Sequence, residues 1–306
     1  MGSIGTQLID ETIPLEASSP RESGSTLSAY LELTKPRITF LVVITAAAGF
    51  CLGSRTGVNF THLLYLSAAI ALLCSGIGTL NQYIERDLDG LMFRTRSRPL
   101  PAGRIQSGRA LAFGVILSLA GLATLAVLVN WITAGLGILT LAAYLFGYTP
   151  LKTRSSLSTV VGAFPGAMPP MIGWAAATGK IGIEGLVLFA ILFLWQFPHF
   201  LAIAWMYRDD YARAGIKMLP VVEPDGRVTG QQIVSYTLML LPVSLLPGLV
   251  NLAGSVYMLG ALGLGVIFLY FGARAAVIRS KWQARRLLQA SVLYLPALFI
   301  LMVLNP

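Results

Sequence analysis

Charge is scarce in this chain of 306 residues, of which only 11% are Asp, Glu, Lys or Arg. An ordinary soluble domain carries about 25%. Apolar residues make up 56% of the sequence. A soluble core needs no such excess, so composition excludes a soluble globular enzyme, and with it a long disordered or coiled-coil protein. Cysteine is nearly absent. Cys51 and Cys74 both lie in apolar runs and form no disulfide framework. Histidine is equally rare, with only His62 and His199. No basic segment followed by an apolar one opens the sequence, so no cleaved signal peptide is expected. Acids are outnumbered by bases, 13 against 22, for a net charge of +9. In a soluble protein that surplus would suggest nucleic acid; in a membrane protein it more often reflects basic cytoplasmic loops.

Long apolar runs are abundant. A membrane helix needs about 20 mostly apolar residues to cross about 30 Å of hydrocarbon. Nine runs qualify: Ile38–Ser54, His62–Ile84, Ala110–Val129, Trp131–Thr149, Leu157–Thr178, Ile183–Tyr207, Gln231–Val250, Gly254–Ala273 and Leu287–Leu304. The sequence therefore predicts an all-α integral membrane protein with nine transmembrane helices. Residues 1–28, rich in Ser, Gly, Thr, Pro and Glu, read as a disordered cytoplasmic tail, and residues 29–306 as the transmembrane domain. Sorting the bases by loop puts 20 of the 22 on one side, and leaves only Arg55 and Lys180 on the other. That asymmetry predicts a cytoplasmic N-terminus and an outside C-terminus. Gly76, Gly78, Gly135, Gly137, Gly260, Gly263 and Gly265 are expected to let helices approach closely. The run Phe164–Pro170, with Pro165, Pro169 and Pro170, is expected to break or bend the fifth span. Trp131, Trp174, Tyr65 and Tyr257 read as interfacial belts or cavity walls.

Seven of the 13 acids fall in two segments on the basic side, one after the second span and one after the sixth. In the first, Asn81, Glu85 and Asp89 are spaced i, i+4, i+8, which puts three oxygen-bearing side chains on one stripe of a helix, with Asp87 pointing elsewhere. Stacked carboxylates repel unless a positive charge lies between them. Oxygen-only ligands suit Mg²⁺, which commonly takes one or two carboxylates plus phosphate oxygens. Arg94, Arg96 and Arg98 follow at once, and arginine forks match phosphate oxygens in pairs. A solvated loop in which Glu and Arg pair with each other is the plain alternative. The second segment repeats the theme: its first part, Tyr207–Pro220, carries Asp209 and Asp210, and Glu223 and Asp225 follow. Lys152 and Arg154 could add cations from a third loop. His199 lies mid-span, where an ionisable group is a functional candidate.

Asn81-x-x-x-Glu85-x-x-x-Asp89 resembles the first acidic motif of the intramembrane (UbiA-type) prenyltransferase superfamily. The longer string from Asn81 to Pro99 resembles the haem-farnesylating branch of that superfamily. So do Tyr148–Arg154, Gly166–Trp174, Trp195–Phe200, Asp210–Val222 and the Lys35-Pro36-Arg37 triplet. The resemblance runs from about Leu33 to the C-terminus. It implies nine helices around a central cavity and transfer of a farnesyl group from farnesyl diphosphate to a vinyl group of haem b, giving haem O and diphosphate. It also implies dependence on Mg²⁺, residence in the plasma (inner) membrane, and a haem A synthase or oxidase assembly factor as a partner. Nucleic acid has no place in it. The expected roles are metal ligation and catalysis by Asn81, Glu85, Asp89 and Asp210, with Asp209 as a further ligand. Arg94, Arg98, Lys152 and Arg154 are expected on the diphosphate, and His199, Tyr148 and Trp195 on haem. His199 could bind the iron, touch a propionate or simply pack. Two features depart from the superfamily pattern. Glu85 stands where Asp is common, and Met206 stands four residues before Asp210, so the second motif lacks its full acidic pair. The rival readings are a related enzyme with an aromatic or quinone-precursor acceptor, and a transporter. Acids gathered at one face rather than at mid-depth argue against the transporter.

Overall fold

The computed structural model describes residues 25–55 and 57–305. The greater part of the expected tail, residues 1–24, lies outside the described residues. Its last part is corrected: Ser25 caps a short helix, Thr26–Leu33, through a bond to the Ser28 amide at 3.3 Å. Ala29 and Leu33 bury that helix against Leu100, Ile105 and Ala110.

Among the described residues there are nine helices long and apolar enough to cross a bilayer, and no strand. In order they are Pro36–Gly53, Phe60–Ile84, Ser107–Val129, Trp131–Leu151, Ser158–Thr178, Gly182–Met206, Arg227–Leu249, Ser255–Ile278 and Lys281–Leu304. The protein is a multi-pass membrane protein, and each of these helices satisfies its own backbone groups inside lipid. The ninth helix begins earlier than its apolar run because Ser280 caps it by accepting from the Gln283 amide at 3.2 Å. Its first turns carry Lys281, Arg285 and Arg286, which hydropathy discards. Arg286 lies 4.5 Å above the Trp282 ring.

The expected break in the fifth span is absent: Ser158–Thr178 runs as one α-helix with Pro165, Pro169 and Pro170 inside it. Close packing compensates. All three prolines are buried, and a Cβ on Gly49 would run into the Pro170 carbonyl, one on Gly173 into the Ala46 carbonyl. The first and fifth helices thus touch backbone to backbone. Of the glycines expected at close contacts, Gly135 and Gly263 face open space. The irregularity lies elsewhere, in two π-helical stretches, Leu125–Val129 and Ala143–Tyr148. The second precedes Pro150, whose ring would crowd the carbonyl four residues back in a regular α-helix.

The helices form two groups. One packs the second, third and fourth spans around the first and fifth; the other packs the sixth through the ninth. The two groups meet where the fifth span lies on the sixth. There Gln196, 3% exposed, donates to the Ala163 carbonyl at 3.0 Å. Trp131 and Tyr65 face outward, as belts would, while Trp174 and Tyr257 are interior. Cys51 and Cys74 are free thiols.

Candidate active site

The second span ends at Ile84, and Glu85 (φ −93°, ψ 7°) forms a joint before a short helix, Arg86–Leu91. The ladder crosses the joint intact: the Glu85 amide reaches Asn81 O at 2.9 Å and the Asp89 amide reaches Glu85 O at 2.8 Å. The i, i+4, i+8 stripe therefore survives. Asn81, Glu85 and Asp89 are buried at 2%, 7% and 1% exposure, whereas the Asp87 side chain is 87% exposed.

Each member of the stripe meets a base. Lys35 Nζ donates to Asn81 Oδ1 at 3.1 Å, Lys152 Nζ to Glu85 Oε1 at 2.5 Å, and Arg98 Nη1 to both Asp89 oxygens at 2.9 and 2.7 Å. These are not solvated loop pairs, because the acids lie inside the protein where an uncompensated charge is costly. Asn81 is oriented from behind, its Nδ2 donating to Thr149 Oγ1 at 3.3 Å. Thr149 in turn donates to Tyr144 O, five residues back, at 2.9 Å. The π-helical stretch thus aims Asn81 Oδ1 at Lys35.

Lys35 and Thr149 are the residues that sequence reasoning underused. Lys35 precedes Pro36, which starts the first span; it has φ 49° and ψ 57°, a left-handed turn that brings its side chain under the stripe. Burial, with Arg98 and Lys152 close by, pushes its ammonium down to about 8, against the opposing pull of Glu85 and Asp89. Burial also works against the charge of Lys152, but Tyr148 and Glu85 outweigh it and hold that ammonium above the ordinary lysine value.

Three loops are sewn together around this stripe. Asp210, buried at 7%, accepts from the backbone amides of Phe93 at 3.4 Å and Arg94 at 3.3 Å, and pairs with Arg213. The Lys217 amide donates to Lys152 O at 2.8 Å. Arg94 lies over the rings of Tyr207 and Tyr211, at 5.3 and 5.9 Å. Burial raises the Tyr211 hydroxyl above the usual phenol range.

Other expected residues fall elsewhere. Asp209 is 62% exposed and pairs with Lys281 at 3.1 Å, a bond that holds its carboxyl below the usual range. Asp209 therefore does not join the stripe, and Asp210 is committed to the loop amides. Among the described residues no group of three or more His, Cys, Asp or Glu side chains stands ready for a metal. What fits a hard divalent ion is the oxygen set of Asn81, Glu85 and Asp89, with phosphate oxygens completing it. Arg154 is exposed. Tyr148 lies under Lys152 at 4.3 Å, with Tyr144 at 5.2 Å, so its neighbours belong to the stripe rather than to His199.

His199 and Trp195 form a separate group. Their rings stack at 4.7 Å, Trp195 Nε1 donates to Ser291 O at 2.9 Å, and His199 Nδ1 lies 2.8 Å from Ser291 Oγ. The Ser291 hydroxyl donates to Leu288 O at 2.7 Å. Its one proton is thereby used, so Nδ1 carries the shared hydrogen and Nε2 presents a lone pair.

Together, nine helices of membrane-spanning length among the described residues and a buried oxygen stripe paired with bases at one end define an intramembrane protein with a charged site at one face. The chain belongs to the UbiA prenyltransferase family, which it matches over residues 42–301. It is 53% identical over 285 residues to the protoheme IX farnesyltransferase of Solibacter usitatus, covering 90% of this chain and 98% of that one. Among solved structures, digeranylgeranylglyceryl phosphate synthase shares the fold, with TM-score 0.77, 17% identity and coverage of 92% and 98%. A UbiA homologue from Archaeoglobus fulgidus bound to GPP and Mg²⁺ follows, with TM-score 0.65, 16% identity and coverage of 90% and 99%.

Proposed function

We propose that this chain transfers a farnesyl group from farnesyl diphosphate to a vinyl group of haem b, giving haem O and diphosphate. The observation that carries the reading is the buried stripe of Asn81, Glu85 and Asp89, each facing a base at the mouth of an apolar bundle. The likeness to the Solibacter usitatus farnesyltransferase supports the choice of donor and acceptor.

Asn81, Glu85 and Asp89 would hold Mg²⁺, which when bound neutralises diphosphate charge and helps it leave. Lys35, Lys152 and Arg98 are then freed from the acids to take the remaining diphosphate oxygens. Asp210 and Arg213 hold the Phe93–Arg94 turn over them. In the reaction the bond between farnesyl C1 and oxygen breaks, and its electron pair departs with diphosphate. The vinyl π-bond forms the new carbon–carbon bond to the allylic cation. Water then adds to the porphyrin-side cation and loses a proton, leaving the hydroxyl. The apolar bundle keeps water from the allylic cation until that bond has formed. His199 Nε2, left with its lone pair by the Nδ1 contact to Ser291 Oγ, would meet haem through its iron; contact with a propionate would need that nitrogen protonated. On this reading the charged end is cytoplasmic, the membrane is the plasma (inner) membrane, and haem O passes to an enzyme or assembly factor of oxidase biogenesis.

The test is expression in cells that lack haem O, followed by haem extraction and mass analysis. Haem O should appear with the wild-type chain and be absent with Glu85→Ala. Its absence in both, with a prenylated quinone precursor instead, would replace the acceptor.

A further inference from the structure

A polar pocket, of about 270 Å³, opens at the end of the bundle opposite the stripe; it is lined by Gly53, Arg55, Trp174, Thr178, Lys180 and Glu184. Gly53 ends the first span, Trp174 and Thr178 lie in the last turns of the fifth, and Glu184 lies in the first turn of the sixth. Only two bases belong to this side, Arg55 and Lys180, and the fold gathers both at one pocket. Glu184, the acid of this side, makes no ion pair among the described residues.

Two details show that the pocket is shaped for a ligand rather than left over. Trp174 is 3% exposed, yet its Nε1–H finds no acceptor. A buried donor left unpaired is costly, and a ligand oxygen would satisfy it. A Cβ added to Gly182 would lie 2.7 Å from Glu184 Oε2 and 3.2 Å from Trp174 Nε1, so the carboxylate and the indole flank one space, kept clear by a glycine at φ 64°. Arg55 is tethered by one Nη2 bond to Asn251 O at 3.0 Å, which leaves its remaining donors available.

We propose that this pocket holds the headgroup of an amine-bearing phospholipid, with the phosphate on Arg55, Lys180 and the Trp174 N–H, and the ammonium on Glu184. Two cations and a neutral donor match phosphate oxygens. The carboxylate beside them selects against a purely anionic headgroup, which would face Glu184 with nothing to offer it. The position at a membrane boundary supplies such headgroups at high local concentration.

Native mass spectrometry of the full-length protein in mild detergent tests this, with dioleoyl phosphatidylethanolamine, dioleoyl phosphatidylglycerol or free phosphoethanolamine added. The wild-type protein should retain phosphatidylethanolamine in preference to phosphatidylglycerol. Glu184→Gln should lower phosphatidylethanolamine occupancy about tenfold, or about 1.4 kcal/mol, and raise that of phosphatidylglycerol, whose repulsion it removes. Trp174→Phe removes the N–H donor together with part of the ring, and should weaken both lipids. Equal retention of the two lipids by the wild-type protein, or phosphatidylethanolamine retention untouched by Glu184→Gln, would overturn the proposal. Free phosphoethanolamine binding as well as the lipid would overturn the lipid assignment in favour of a soluble ligand.

Discussion

Replacing Asp89 by Asn separates two roles of one carboxylate. As a structural partner, Asp89 accepts two bonds from Arg98, with side-chain exposures of 1% for the acid and 24% for the base. Breaking a fully buried pair costs about 3–5 kcal/mol. Here Arg98 reaches solvent and Asn keeps one acceptor, so the loss of stability should be nearer to about 1–2 kcal/mol. As a metal ligand, Asp89 supplies a full negative charge that Asn lacks. The expected fall in kcat/KM is at least about 100-fold, or about 2.7 kcal/mol of transition-state stabilisation. The assay is haem O formation by purified protein in lipid nanodiscs, with farnesyl diphosphate and haem b supplied and Mg²⁺ titrated. Arg98→Gln is the control. If Asp89 only positioned Arg98, Asp89→Asn would be no worse than Arg98→Gln, which also loses the diphosphate contact, and the double variant would be no worse than Arg98→Gln alone. If Asp89 also ligates the metal, Asp89→Asn is far worse than Arg98→Gln, and it raises the Mg²⁺ needed for half-maximal rate. Activity within about threefold of wild type, or an unchanged Mg²⁺ requirement, would rule out the metal role.

Lys35→Met should lower kcat/KM for farnesyl diphosphate about tenfold or more, one charge-assisted bond's worth, with Lys35→Arg retaining most activity; substrate-dependence curves for donor and acceptor separate this from damage to haem binding. Asp209→Asn should leave turnover within about twofold, as for an exposed surface pair, while Asp210→Asn releases the Phe93–Arg94 turn and lowers it steeply in the same assay. His199→Ala should abolish the absorption shift of added haem, and Ser291→Ala should weaken haem binding a few-fold, in keeping with about 1 kcal/mol for one neutral hydrogen bond; spectra unchanged in both would restrict His199 to packing. Gly173→Leu should prevent recovery of folded protein from membranes, because the colliding group is the Ala46 backbone rather than a movable side chain.

Much of the architecture was legible locally. Bilayer thickness sets the length of an apolar run, so the nine spans could be counted from hydropathy alone, and their ends moved furthest where charged turns such as Lys281–Arg286 extend a helix beyond its apolar part. The Asn81–Glu85–Asp89 stripe was legible too, because its spacing is that of one helix. The expected break in the fifth span misled because proline's effect depends on what surrounds it: the helix stays continuous through its three prolines where it packs backbone to backbone on the first span.

Composition and spacing along single helices were enough for the fold class, the sorting of charge between the two ends and the acids of the site. Which base meets which acid was settled by packing, since those partners stand 46 residues apart for Lys35 and Asn81, and 67 for Lys152 and Glu85. Packing also gave Asp210 its place, bound to an amide 117 residues away. It set the His199 tautomer through Ser291 and brought Arg55, Lys180 and Glu184 to one pocket. Contacts between distant segments depend on how helices pack, and no periodicity within a single helix encodes them.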